Sequence, residues 1–330
     1  MTNIGALERS WTAAIASCPK AMQHGPCAGV SGDGDCEVPG VGSCSFLSVA
    51  DAEWPYASPS SAAVSPTGNP AAGSAAALLH ATAALRPLIV TDLLAPALSA
   101  DALRRVAAEL APVSDACLLG DHQQSRVQFP PSYRVRLLAD EGVATWAGLN
   151  ARDRNRVAIE GEIAACLDAG AVGLHCVTGD HPRVGHRPDA QAVFDLDAVG
   201  IVELSAGRGA LCSVAHAPAT PPVERRLPRL LAKIRAGAGA VFVDGPGDPT
   251  VIGPAVAALR ATGFAGLVLA CVTPYPATAA DAARTVERVL ALPGVDGVNL
   301  SGGAGPGDEL ATARRLAEVA ALPFGRGVRT

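Results

Sequence analysis

The sequence predicts an α/β chain, a closed (β/α)8 TIM barrel preceded by a small four-cysteine metal-binding module. Three observations carry that expectation. Eight short apolar runs recur from residue 88 onward, each bounded by turn residues. Helix-length segments with a single apolar stripe separate them, which is the spacing parallel strands require. Four of the nine cysteines fall within 27 residues near the N-terminus, in a segment almost without bulky apolar side chains.

Taken in order, residues 1–54 form the expected cysteine-rich module. Cys18, Cys27, Cys36 and Cys44 stand in the pattern C-x8-C-x8-C-x7-C, with Gly, Pro and Asp between them to make turns. Four thiolates around one tetrahedral ion would replace a missing hydrophobic core with coordination energy, so structural zinc is expected, ahead of an iron–sulfur cluster, with free thiols as the last alternative. His24 offers a substitute ligand, although a lone histidine is more often a bystander. Residues 55–85, beginning PYASPSSAAVSPTGNPAAGSAAA, are rich in Pro, Ser, Gly and Ala and read as a linker.

The barrel is expected over 86–330. Its strands are LIVTD at 88, DACLL at 115, VATWAGL at 143, VGLHCV at 172, ALCSVA at 210, AVFVD at 240, GLVLAC at 266 and DGVNL at 296. Between them Ile159, Ile163, Cys166 and Leu167 fall at helical spacing, as do Val223, Leu227, Leu230, Leu231 and Ile234. Eight such units in about 250 residues match a barrel, and the absence of G-x-G-x-x-G after the first strand weighs against an open dinucleotide-binding sheet.

Composition narrows the partners. The net charge is -5, and 24 Arg and two Lys are scattered along the chain, so no basic footprint for nucleic acid exists. No run approaches the roughly 20 apolar residues of a membrane span, and the N-terminus MTNIGALERSW lacks a secretion signal. A soluble cytoplasmic protein is expected, with reduced thiols and with a protein partner or homo-oligomer open.

In a barrel the chemistry belongs at the C-terminal strand ends. Asp92 closes the first strand, Asp180 follows the fourth in VTGDHP, and Asp244 follows the sixth in FVDGPGD. Carboxylates held there, partly desolvated, suit general acid work or accept from the N–H edge of a heterocycle. The same positions also suit caps of loops or helices. His122, His181, His186 and His216 lie in loops without a tight metal spacing and read as hydrogen-bonded loop residues. Cys117, Cys166, Cys176, Cys212 and Cys271 read as small core residues. The glycines of LSGGAGPGDEL, 300–310, precede a helix and offer backbone N–H groups to an anion, or simply a flexible turn.

CPK, GPC, CEV and SCSF resemble the cysteine-rich module of methylenetetrahydrofolate reductase partner proteins, where it is C-terminal. VTDLLAP, GLNARDRN, VTGDHP, SVAHAP, IRAGAGAVFVDGPGD and TPYPAT resemble a divergent methylenetetrahydrofolate reductase barrel. The resemblance implies a folate-dependent one-carbon enzyme acting on a methylene- or methyl-tetrahydrofolate. Asp92 would be its catalytic acid, and Asp180 and Asp244 its pterin contacts. Hydride would come from FAD or directly from NAD(P)H. Positions facing the flavin in that family fall at Leu118, Thr145, Thr178 and Ala217, which removes contacts that tight FAD binding needs. The resemblance therefore implies an oxidoreductase first, a flavin-independent one-carbon transferase second, and a non-catalytic folate-binding partner subunit third.

Overall fold

A computed structural model of the chain describes residues 10–55, 74–94, 98–120, 127–274, 278–302 and 308–324. His122, most of the expected linker and the glycines at 303–307 lie outside them. Among the described residues no helix is long and apolar enough to cross a membrane.

Eight strands follow one another around a closed parallel barrel: β1 (Leu88–Asp92), β2 (Ala116–Leu119), β3 (Thr145–Asn150), β4 (Gly173–Val177), β5 (Cys212–His216), β6 (Ala238–Val243), β7 (Leu267–Val272) and β8 (Gly297–Leu300). Closure is made by β1 against β8, with Val90 opposite Asn299 and Thr91 opposite Leu300. The helices are α1 (Trp11–Ser17) and α2 (Ser74–Leu85) before the barrel. The outer ring consists of α3 (Ala100–Leu110), α4 (Pro131–Ala139), α5 (Arg156–Asp168), α6 (Ala198–Ala206), α7 (Arg226–Arg235), α8 (Pro249–Ala261), α9 (Ala279–Leu290) and α10 (Glu309–Ala320).

Local chemistry sets where the ring helices start. The side chains of Ser99, Asn155, Asp197, Asp248 and Thr278 each accept a backbone N–H of the first turn they precede, satisfying donors that a helix start leaves open. One expected stripe begins too early. Val223 is exposed in a single 3-10 turn, and α7 starts at Arg226, so the buried face is carried by Leu230, Leu231 and Ile234.

Strand period two divides the core into two shells. Ile89, Leu149, Val214 and Val298 face outward and pack on helix residues such as Val106, Ile163, Val256 and Leu316. Leu88, Val90, Leu118, Trp146, Phe242 and Leu269 form the inner cluster. Trp146 fills the barrel axis, edge-on to Phe242 at 5.2 Å between centroids. Gly173 makes room for it, since a Cβ there would lie 2.5 Å from the indole nitrogen. Helix α2 arises within the expected linker: Ala76, Leu79 and Ala83 join the inner cluster beside the strand-start residues Leu88, Ala116 and Leu267, closing the barrel floor.

The N-terminal module has a core of its own. Ala14, Met22, Phe46 and Val49 are buried together, and Trp11 stands edge-on to both Phe46 and Trp54 at 5.2 Å. The premise of a segment unable to bury itself is thus corrected. Its apolar residues are spread too thinly along the chain to show as a periodic pattern and meet only in three dimensions.

Candidate functional site

The inner face of each strand ends at the barrel mouth, and period two decides which residue stands there. In β1 the inward series Leu88, Val90 ends on Asp92. In β6 the series Ala240, Phe242 ends on Asp244, just past the strand. By the same count Asn150, Cys271 and Asn299 top β3, β7 and β8. These side chains line one hollow of about 510 Å³, which also receives Asp180 from the loop after β4. The three expected acids therefore share a single cavity, of a size suited to a small metabolite. Asp92 is buried, 9% exposed, and accepts a 2.9 Å hydrogen bond from Asn299 Nδ2. Burial, with Asp92 and Asp244 both nearby, pushes the Cys271 thiol strongly up, so it stays protonated between the two carboxylates.

The N-terminal module covers this mouth and completes it. Lys20 is 3% exposed and donates to the Gly179 carbonyl at 2.8 Å and to Glu37 Oε1 at 2.5 Å. Glu37 in turn accepts the His181 backbone N–H at 2.9 Å. Lys20, Cys27 and Glu37 all line the hollow. Beside it the module is clamped to the barrel. Arg226 Nη1 donates to the carbonyls of Pro26 at 3.1 Å and Cys27 at 3.0 Å, and Arg229 donates to those of His24 and Gly25. The His24 backbone N–H and ring Nδ1 meet Asp197 at 3.0 and 2.9 Å. Further out, Arg225 pairs with Asp51 and lies 4.8 Å over the Trp54 ring.

Charges of both signs line the hollow: Asp92 and Asp244 on the β6 to β1 side, and Glu37 and Asp180 beside Lys20. Arg226, Arg229 and Lys233 form one face of α7 at spacings of three and four residues, with Lys20 contributed by the module. Burial works against the Lys20 charge, but Cys27, Glu37 and Asp180 more than offset it and hold the ammonium above its ordinary range. Burial also opposes the Asp197 charge; the His24 hydrogen bond and Arg229 prevail and bring the carboxyl down to about 2. Lys233 has no such carboxylate bonded to it among the described residues. Burial, then the Arg229 charge, lower its ammonium to about 7. His216 falls to about 3 through burial and the neighbouring Lys233 and Arg226. Deep burial beside Lys233 likewise lowers His175 to about 3, and its Nδ1 is bonded to the Ser213 hydroxyl at 2.9 Å. Both imidazoles are neutral near pH 7.

The remaining expected residues fall as follows. Cys18, Cys27, Cys36 and Cys44 converge on one small pocket inside the module, but among the described residues no group of three or more His, Cys, Asp or Glu is arranged to hold a metal. Zinc and iron–sulfur are corrected on that ground. The thiols pack as small apolar groups, with Cys18, Cys27 and Cys44 against the Trp11, Met22 and Phe46 cluster. Burial raises Cys18 and Cys36 and brings Cys44 to about 11, the direction that favours protonated thiols. His181 caps the turn after β4 by accepting the Arg183 N–H at 3.1 Å, and His216 lines the hollow. Cys117, Cys166, Cys176 and Cys212 are buried.

Sequence reasoning passed over Lys20, Glu37, Asn150, His175, Arg226, Arg229, Lys233 and Asn299. One signal was present. Only two of 26 basic residues are lysine, Lys20 and Lys233, and both line this hollow.

No family model and no curated protein matches the chain. Solved structures similar to it include a putative phosphonomutase from Burkholderia cenocepacia J2315, 18% identical over 69% of this chain and 92% of the other, with a TM-score of 0.46. A 2,3-dimethylmalate lyase of the PEP mutase/isocitrate lyase superfamily is 14% identical over 68% and 80%, TM-score 0.46. A phosphonopyruvate hydrolase in complex with oxalate and Mg++ is 16% identical over 70% and 80%, TM-score 0.46. The expected membership in the methylenetetrahydrofolate reductase family is corrected by these findings, which bring forward barrels named for phosphonate and dicarboxylate substrates and no matching family. With it fall the folate substrate and partner, the oxidoreductase and one-carbon transferase assignments, and FAD or NAD(P)H as hydride source. The geometry gives physical reasons. At the flavin-facing positions, Leu118 belongs to the inner apolar cluster, Thr145 is fully buried, and Thr178 Oγ1 is occupied accepting the Ala198 N–H at 3.1 Å.

Proposed function

We propose that the barrel mouth is the active site of a lyase-type enzyme that breaks a carbon–carbon or carbon–heteroatom bond in a small carboxylate-bearing substrate. The observation that carries this reading is one covered hollow that gathers the strand-end carboxylates Asp92 and Asp244 together with the cationic face of α7. Such a hollow orients an anionic substrate: its carboxylate is drawn to the cationic face, and the bond to be broken is directed toward Asp92 and Asp244.

In this reading Asp92 is the general acid–base residue. Asn299 fixes one of its oxygens, leaving the carboxylate set to move a proton on or off the substrate carbon skeleton. Asp180 and Asp244 are substrate-binding residues, accepting from hydroxyl groups that a carboxylate recognises by its two oxygens. The division into module (1–54), connection (55–85) and barrel (86–330) belongs to the same proposal, with the module as a fixed cover that keeps water from the reacting atoms.

The test is a panel of small hydroxy- and oxo-dicarboxylates followed by proton NMR, with oxalate as a non-reacting binding probe. Oxalate binding at the hollow is expected, and cleavage of a panel member should fall by about 10² or more in Asp92→Asn with oxalate affinity changed only a few fold. Absence of oxalate binding sinks the assignment.

A further inference from the structure

We infer that Lys233 is a catalytic amine of this hollow, forming a covalent imine with the carbonyl carbon of a small oxo acid. The inference deepens the reading above and rests on it.

Geometry places the amine for this. Lys233 points from the last turns of α7 into the hollow, and its one hydrogen bond among the described residues goes to the Ala215 carbonyl on β5, at 2.7 Å. No carboxylate among those residues is bonded to it. Its neighbours on α7 are Arg229 and Arg226, whose guanidinium groups are fastened to backbone carbonyls of the module and the β5–α7 loop. Around it stand His216 on β5, His175 and Cys176 on β4 and, more distantly, Asp197 at the start of α6, whose nearest bonded partner is His24. A buried amine beside fixed positive charge loses its proton readily, and the free lone pair is what a nucleophile needs.

Residue choice points the same way. This chain uses arginine at 24 of its 26 basic positions, including the clamp beside Lys233. A guanidinium cannot give up its proton in a protein, whereas an ammonium can. Lys20, held charged by Glu37, fits a fixed anion contact; Lys233 fits the reacting group.

The step balances without any co-reactant. The Nζ lone pair attacks the carbonyl carbon and a C–N bond forms while the C=O π pair moves to oxygen. The oxygen then leaves as water, carrying both hydrogens of the amine, and a C=N bond remains. The imine, once protonated, withdraws electrons from the adjacent carbon–carbon bond, which is the activation a lyase requires.

The experiment uses the full chain with two measurements. Lysine labelled with 15N at Nζ gives only two side-chain signals, so each titrates visibly; Lys233 is expected near pH 7 and Lys20 above the ordinary lysine range. Pyruvate in excess with borohydride is expected to leave one reduced adduct, mapped by peptide mass to Lys233 and absent from Lys20 and from Lys233→Arg. Hydride adds to the imine carbon there and solvent protonates nitrogen, fixing the bond. Lys233 titrating in the ordinary lysine range, or no adduct at Lys233 while oxalate still binds the hollow, overturns the inference and leaves the site reading standing. Loss of oxalate binding itself overturns both.

Discussion

Asp197 and Lys233 are buried charges treated in opposite ways, and their pH signatures separate them. The Asp197 carboxyl lies at about 2 when folded against 3.8 ordinarily, so its stabilisation is present above the ordinary value and is lost as pH falls toward 2. The contribution is about 2 kcal/mol. Asp197→Asn should flatten the acid limb of a urea-denaturation series between about pH 5 and pH 2; an unchanged limb removes Asp197 as its source. Lys233 is the reverse. Its folded value of about 7 lies below the ordinary 10.5, so the unfolded chain binds the extra proton and stability rises with pH across that interval. Lys233→Met should abolish that rise, and persistence of the slope in the variant would falsify the assignment. Neither residue was singled out in the sequence, because a lone Asp before a helix and a lone Lys on one look like a cap and a solvated face. Asp92 was singled out because strand periodicity alone puts it at the inner rim.

At the level of elements, the barrel tolerates Trp146 only because β4 begins with glycine. Gly173→Ala should destabilise the protein by about 1–3 kcal/mol through overpacking at the axis, read as a lowered denaturation midpoint. A neutral outcome means the indole has another place to go. Helix α7 does two jobs, its apolar side against the sheet and its cationic face against the module. Arg226→Met removes the bonds to Pro26 and Cys27, and faster hydrogen exchange is expected across residues 10–55 with the barrel strands unchanged. The apolar stripe of α7 was legible from its 3.6 period; its arginines were not, since their acceptors are backbone carbonyls some 200 positions away, which no local pattern encodes.

Across the whole molecule, the module and the barrel share buried polar contacts, among them Lys20 with Gly179, Glu37 with the His181 backbone N–H, and His24 with Asp197. Groups so deeply desolvated cost several kcal/mol when left unpaired, so the two parts should melt in one calorimetric transition. Lys20→Ala is expected to lower that transition and to split off an earlier module phase; a single unshifted peak counts against the coupling. The clustered thiols invited a metal because their spacing was visible while the core around them was not. Met22, Phe46, Trp11 and Trp54 are separated by turns, so their meeting has no period to reveal it.

The sequence by itself determined the eight-strand barrel and the placement of Asp92, Asp180 and Asp244 at its rim, because both follow from short-range alternation and strand order. Only the tertiary structure decided what faces those acids. The cover formed by residues before the linker, the cationic side of α7 and the suppressed charge of Lys233 depend on contacts between distant segments, and burial and field are properties of the assembled space rather than of any stretch of chain.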